Sequence, residues 1–178
     1  MSSKVERGRT LARSQALQIL FQAEVLDLSV DDVLAGDYLV SKGPLDPYAV
    51  VLARGCHDDI DRIDYALHSI SSNWSLYRMP STDRNLLRIA VFEMRFLKGE
   101  KPIDDAVVIN EAVEIAKAYG TDESSRFVNG VLGRIARMES LPEPPVEEEP
   151  ALDEEADAVT EPLSLDGEVA DPEEARSE

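Results

Sequence analysis

Apolar residues recur every three to four positions through most of the first 138 residues, and no stretch sustains the period-two alternation of a half-buried strand. Ala12, Ala16, Ile19, Ala23 and Leu26 share one face of a first helix, which Thr10 is placed to cap and which reaches about Leu28. Leu17, Phe21 and Leu28 form a second stripe on that helix, either completing a core or left as an exposed anchor. A shorter helix is predicted over Val30–Val40, ahead of the Gly43-Pro44 break. Asp46-Pro47 then opens a third helix running to about Ser72, with Ala49, Leu52, Cys56, Ile60, Ile63, Leu67 and Ile70 on one face. Pro80-Ser81 opens a fourth, to Leu97, apolar around most of its circumference and so expected at the centre. Asp104 caps a fifth that ends at Tyr119, with Gly120 expected as a left-handed cap. Asp122 or Ser124 caps the last, whose core face is Phe127, Val128, Val131, Leu132, Ile135 and Met138. The expected fold is all-α, with short connections between neighbouring helices.

Charge divides the chain into unequal parts. Of 36 acidic and 18 basic residues, 16 acids and one base (Arg176) fall in Glu139–Glu178, together with six of the ten prolines and no aromatic residue. Such a segment cannot bury enough apolar surface to offset its ordering entropy, so a disordered acidic tail is expected over 139–178. The remainder, a basic arm over 1–9 and a body over 10–138, holds 20 acids and 17 bases together and is nearly neutral, so its basic residues can still form a local anion-binding surface. The tail is expected either to compete electrostatically with nonspecifically bound polyanions for arginines such as Arg7, Arg9, Arg13 and Arg126, or simply to solubilise. One cysteine and two histidines leave no disulfide scaffold, no zinc spacing and little scope for histidine catalysis. The longest apolar runs, such as Tyr48–Ala53, are far below the roughly 18 residues of a membrane span, and residues 1–15 are too polar for a secretory signal. A soluble, cytoplasmic, reduced protein without a membrane partner is expected.

Candidate chemistry is sparse. The run His57–Asp64 resembles an acid or metal cluster, but on the helix its carboxylates are expected on a solvated face. Cys56 sits on the apolar stripe, where a buried inert thiol is expected. No phosphate loop, nucleophile elbow or His-Glu-x-x-His pair occurs, so no catalytic residue, metal site or cofactor is expected. Arginines stand out instead: Arg7, Arg9 and Arg13 at the start, Arg84, Arg88 and Arg95 on the fourth helix, Arg126 and Arg137 beside Gly130 and Gly133 on the last. Guanidinium groups bind phosphate bidentately and stack on bases, which suits RNA; a solvating helix face is the competing reading. The two interior glycines each cost about 1 kcal/mol relative to alanine, so close helix packing, or a partner against the bare backbone, should compensate.

The segment Asp83-Arg84-Asn85-Leu86-Leu87-Arg88-Ile89-Ala90-Val91-Phe92-Glu93 resembles the central helix of the NusB family of transcription antitermination factors. Val108-Ile109-Asn110-Glu111-Ala112-Val113-Glu114-Ile115-Ala116-Lys117 and Phe127-Val128-Asn129-Gly130-Val131-Leu132 resemble its next two helices. Arg9, Ala12-Arg13 and Ala16–Gln22 resemble its first, and Trp74 lies at the expected distance before the central one. The resemblance covers about residues 7–138.

It implies two small helical bundle subdomains. It also implies pairing with the ribosomal protein NusE on boxA-containing nascent RNA, within an RNA polymerase elongation complex that holds other Nus factors and reads through terminators in ribosomal RNA operons. By position, it implies RNA contacts at Arg7, Arg9, Arg13 and Phe21. Partner contacts are implied at Asp83, Tyr119, Glu123, Arg126 and Phe127. Gly8 interrupts the arginines, and the acidic tail is no part of the shared pattern. A homodimer is an alternative assembly that would bury the RNA surface. Ribosomal RNA cytosine methyltransferases carry a similar domain, but the acidic residues after Met138 do not match their cofactor-binding part.

Overall fold

The computed structural model describes residues 7–70, 75–97, 99 and 102–145, and all regular structure among them is helical. The elements are α1 (Gly8–Leu26), α2 (Val30–Ala35), α3 (Pro47–Asp58), α4 (Ile60–Ser69), a 3-10 turn (Leu76–Arg78), α5 (Ser81–Arg95), α6 (Asp105–Tyr119) and α7 (Asp122–Ala136). One bundle is built from α1–α3 and another from α5–α7, and α5 packs against α1, α3, α4, α6 and α7. The sequence anticipates this centrality, because Asp83 to Glu93 is buried without interruption. A single cluster of buried apolar side chains spans both bundles, with Ile19, Leu52, Leu87, Ile89, Ile115 and Leu132 among its largest members.

Several boundaries depart from expectation for local reasons. α1 starts at Gly8, with Arg7 as a cap that makes no side-chain bond, so Gly8 and Arg9 of the expected arm are helical. Thr10 does not cap; it is buried in the first turn and its hydroxyl donates to Glu111 on α6. The helix closes at Asp27, in the left-handed conformation (φ 55°) that a short polar side chain tolerates. α2 stops at Ala35 rather than Val40, because the following segment is strapped to α1 by glutamines that imitate backbone groups. Gln22 Nε2 donates to Leu39 O (2.8 Å) and Gln22 Oε1 accepts from Leu39 N–H (2.8 Å). Gln18 Oε1 accepts from Ser41 N–H, while Gln15 donates to Lys42 O and Pro44 O and accepts from Asp46 N–H.

The expected third helix is two helices, broken at Asp59 (φ −101°, ψ 17°). The break turns α4 so that Asp64 meets Arg88 of α5 in a bidentate pair (2.8 and 2.6 Å). One carboxylate expected on a solvated face is thus structural. Cys56 is fully buried, and burial pushes its thiol pKa up, as expected of an inert thiol. Asp46 and Asp104 cap α3 and α6 as read from sequence. The α7 cap is Thr121, in a reciprocal capping box with Ser124. Gly120 is extended (φ −105°), not left-handed, and a Cβ there would lie 2.7 Å from Ser124 Cβ.

The glycines of α7 are not needed for internal packing, which corrects that expectation. A Cβ on Gly130 meets nothing within 4 Å, and one on Gly133 meets only Arg137 Nη1 at 3.7 Å. Gly55 is the opposite case, since a Cβ there would fall 2.0 Å from Phe92 Cζ, where α3 crosses α5. Of the acidic segment over 139–178, Leu141 and Pro142 are partly buried and Glu143 pairs with Arg62 (3.2 Å). Residues 146–178 lie outside the described residues, as do Trp74 and residues 1–6 of the arm. No described helix is long and apolar enough to cross a membrane. Gly55→Ala should lower stability by about 1–3 kcal/mol through overpacking, and Gly130→Ala should raise it by about 0.5–1 kcal/mol. Urea unfolding of the full chain checks both.

Candidate nucleic-acid and protein interface

The candidate residues fall at the two ends of α5. Asp83 and Glu93 are separated by about 15 Å along the helix axis at 1.5 Å per residue. Arg9 and Arg13 gather at the Glu93 end. Arg13 is 4% exposed, and its guanidinium grips Glu93 through Nε (2.7 Å) and Nη2 (2.6 Å), with Glu111 at 3.6 Å. It therefore holds the fold and is not placed to meet RNA, which corrects its assignment. Arg7 and Arg9 are exposed. Arg9 lies over the ring of Tyr48, with Cζ 3.8 Å from the centroid. The Tyr48 hydroxyl donates to Glu93; burial and that carboxylate together raise its pKa, keeping the proton on. A cavity of about 420 Å3 opens here, lined by Arg9, Tyr48, Glu93, Leu97, Gly99, Pro102 and Ile103.

At the other end of α5, Asp83 is 5% exposed. Its Oδ2 accepts from Ser124 Oγ (2.9 Å), while Oδ1 is buried with no hydrogen-bond partner among the described residues. Asp83 lines a cavity of about 500 Å3 with Arg78, Met79, Pro80, Thr121, Glu123 and Phe127. Arg126 is exposed and borders a smaller adjoining groove with Phe127, Gly130 and Arg134. A third cavity, of about 320 Å3, brings Phe21 together with Leu17, Leu39, Thr82 and Tyr119. Its position is set by hydrogen bonds of the Tyr119 hydroxyl to Ser14 (2.6 Å) and Gln18 (3.0 Å). Phe21 (43% exposed) and Tyr119 (41%) thus share a cavity with Thr82, the residue before Asp83 on α5.

The arginines of α5 are not available to RNA. Arg84 donates to Leu76 O and Met79 O (3.0 Å each) and pairs with Glu24. Arg88 pairs with Asp64, and Arg95 with Asp105 (2.9 Å) and Ile135 O. Burial opposes the charge of Glu24, but donors from Ser81, Arg84 and Asn85 outweigh it and hold the carboxyl below its usual range. Sequence reasoning missed Tyr48, Ser124 and Glu93; only the capping register of Asp46-Pro47 hinted that Tyr48 would turn toward α1. No group of His, Cys, Asp and Glu suited to a metal occurs among the described residues.

The class is therefore an all-helical module that presents surface cavities and exposed arginines, with no group of His, Cys, Asp and Glu suited to a metal among the described residues. A NusB family model matches residues 10–137, and the chain belongs to that family. It is 46% identical over 132 residues to the transcription antitermination protein NusB of Salinispora arenicola, covering 72% of this chain and 95% of that one. Against the protein of the same name from Desulfitobacterium hafniense the figures are 44%, 72% and 87%. Among solved structures it is similar to T. maritima NusB, with a TM-score of 0.61 and 37% identity over 77% of this chain and 95% of that one. It is also similar to a chain of the crystal structure of antitermination factors NusB and NusE in complex with dsRNA, with a TM-score of 0.56, 26% identity, and coverage of 70% and 92%.

Because the folded-state pKa of Glu24 is lowered, its stabilisation is present above the ordinary glutamate pKa and is lost as pH falls through the lowered value. Glu24→Gln should therefore be less stable than the wild type at neutral pH. The gap should close as pH falls through the lowered value, followed by urea midpoints across the pH series.

Proposed function

We infer that this chain is a transcription antitermination factor that acts by binding, as an adaptor, and not as an enzyme. It engages the ribosomal protein NusE at the Asp83 end of α5 and boxA-containing nascent RNA along the Arg7–Arg9 edge and past Phe21. Together these join the RNA polymerase elongation complex and its other Nus factors in the cytoplasm. The observation that carries the reading is the unpaired Oδ1 of Asp83. A buried polar atom without a partner is costly and uncommon, and one at a cavity wall suits a donor brought by a partner. The exposed Glu123 on the same wall adds to the attraction for a basic ribosomal protein. Phe127 and Tyr119 supply apolar surface beside it. The solved complex of NusB and NusE with dsRNA supports the same pair of partners.

A homodimer is the second reading. Phe21, Val25 (63% exposed) and Leu26 (58%) on the C-terminal half of α1, with Leu28 (45%) just past its end, offer exposed apolar surface that a second copy could cover. Light scattering during gel filtration separates the two. The proposed function expects a one-to-one complex with NusE that takes up boxA RNA, and a stable dimer that excludes both partners would overturn it. Glu123→Lys, on an exposed position, should weaken NusE binding by about 10-fold at low salt and much less at high salt, where screening removes the term. Asp83→Asn should weaken it at both salt concentrations. Titration calorimetry measures both variants.

A further inference from the structure

We propose that Arg9, stacked on Tyr48, forms with Leu97, Pro102 and Ile103 a pocket for one unpaired base of single-stranded RNA, with the 5′ or 3′ phosphate of that nucleotide at the start of α1. The proposal rests on the RNA-binding reading above and assigns it a base-recognition site. Most exposed arginines sample many rotamers. Arg9 is held against an aromatic ring with its Cζ 3.8 Å from the centroid, and that ring is itself fixed. The Tyr48 hydroxyl is tied to Glu93, and Glu93 is tied to Arg13. Pro47 in the first turn of α3, with Asp46 capping Tyr48 N–H at 2.8 Å, sets the backbone that presents the ring.

Glu93 is already occupied by Arg13 and Tyr48, and Arg9 makes no ion pair among the described residues. The result is a flat cation supported on one side and bordering a cavity of about 420 Å3 whose further wall is apolar, from Leu97, Pro102 and Ile103. That volume lies within the range of small-ligand pockets, about 300–1,000 Å3. A planar cation beside an apolar wall fits a nucleobase, which stacks on guanidinium planes as it does on aromatic rings. The neighbouring groups fit a phosphate. Among the described residues α1 begins without a side-chain cap or any acidic residue in its first turn, which suits an anion beside the exposed Arg7. Tyr48 is thus a positioning residue, acting on RNA through Arg9.

The test is binding of a short fluorescent single-stranded boxA RNA to the full chain, alone and with NusE, over a salt series, with single abasic positions scanned along the RNA. Arg9→Lys keeps the charge and loses the plane. It should lower affinity between about 5-fold and 100-fold while leaving the slope against salt unchanged. One abasic position should weaken the wild type and leave Arg9→Lys unaffected. Tyr48→Leu should behave like Arg9→Lys, and the double variant no worse than either alone. Wild-type affinity for Arg9→Lys, or an abasic scan identical for wild type and variant, would overturn the base pocket and leave the RNA reading standing. A wild-type chain that binds no RNA in a salt-dependent way, with or without NusE, would overturn that reading and the pocket with it.

Discussion

The carboxylate of Glu93 is the point on which the arrangement depends. Buried in the middle of the molecule, it receives two bonds from Arg13 of α1 and one from Tyr48 of α3. Arg13 and Thr10 carry the network on to Glu111 of α6. Four helices are thereby fixed around one charge. Removing one partner of such a buried pair typically costs about 3–5 kcal/mol, because the other charge is left without compensation. The same bonds fix the surface. Glu93 holds the Tyr48 hydroxyl and so steadies the ring beneath Arg9, and Arg13 grips the same carboxylate. What looks in the sequence like an RNA-binding arginine is the anchor that lets its neighbour, one turn earlier, face the solvent.

The other end of α5 works by the opposite principle. There Glu24 gathers Arg84, Asn85 and Ser81, and Asp64 takes Arg88, so the cations of the central helix are satisfied internally. One anionic oxygen, Asp83 Oδ1, is left without a donor at a cavity wall. The molecule thus shows exposed positive charge at the start of α1 and an unsatisfied carboxylate at the start of α5. This polarity suits an adaptor between a nucleic acid and a basic protein.

Much of the architecture is legible in the sequence because helices declare themselves through apolar period and caps: Asp46-Pro47, Asp104 and the uninterrupted apolar circumference of α5. The family segments on α5, α6 and α7 are equally plain. What is not legible depends on groups far apart in the chain. Nothing local distinguishes Arg13, which meets Glu93 eighty residues later, from Arg9. The glutamines at 15, 18 and 22 read as a polar helix face, yet they bind the backbone of the following loop and end α2 early. The break at Asp59 serves a tertiary pair, Asp64–Arg88, that no helix period reveals. Gly130 and Gly133 suggest either close packing or a partner against the bare backbone, and no close internal packing requires them: a Cβ on Gly130 meets nothing within 4 Å and one on Gly133 meets only Arg137 Nη1.

The separation of the two surfaces is tested most directly by amide hydrogen exchange on the full chain, free, with boxA RNA and with NusE. RNA should slow exchange at residues 8–11 and 47–50, together with 102–106. NusE should slow it at residues 79–84 and 121–128. Protection of 121–128 by RNA alone, with residues 8–11 and 47–50 exchanging as in the free protein, would contradict the account.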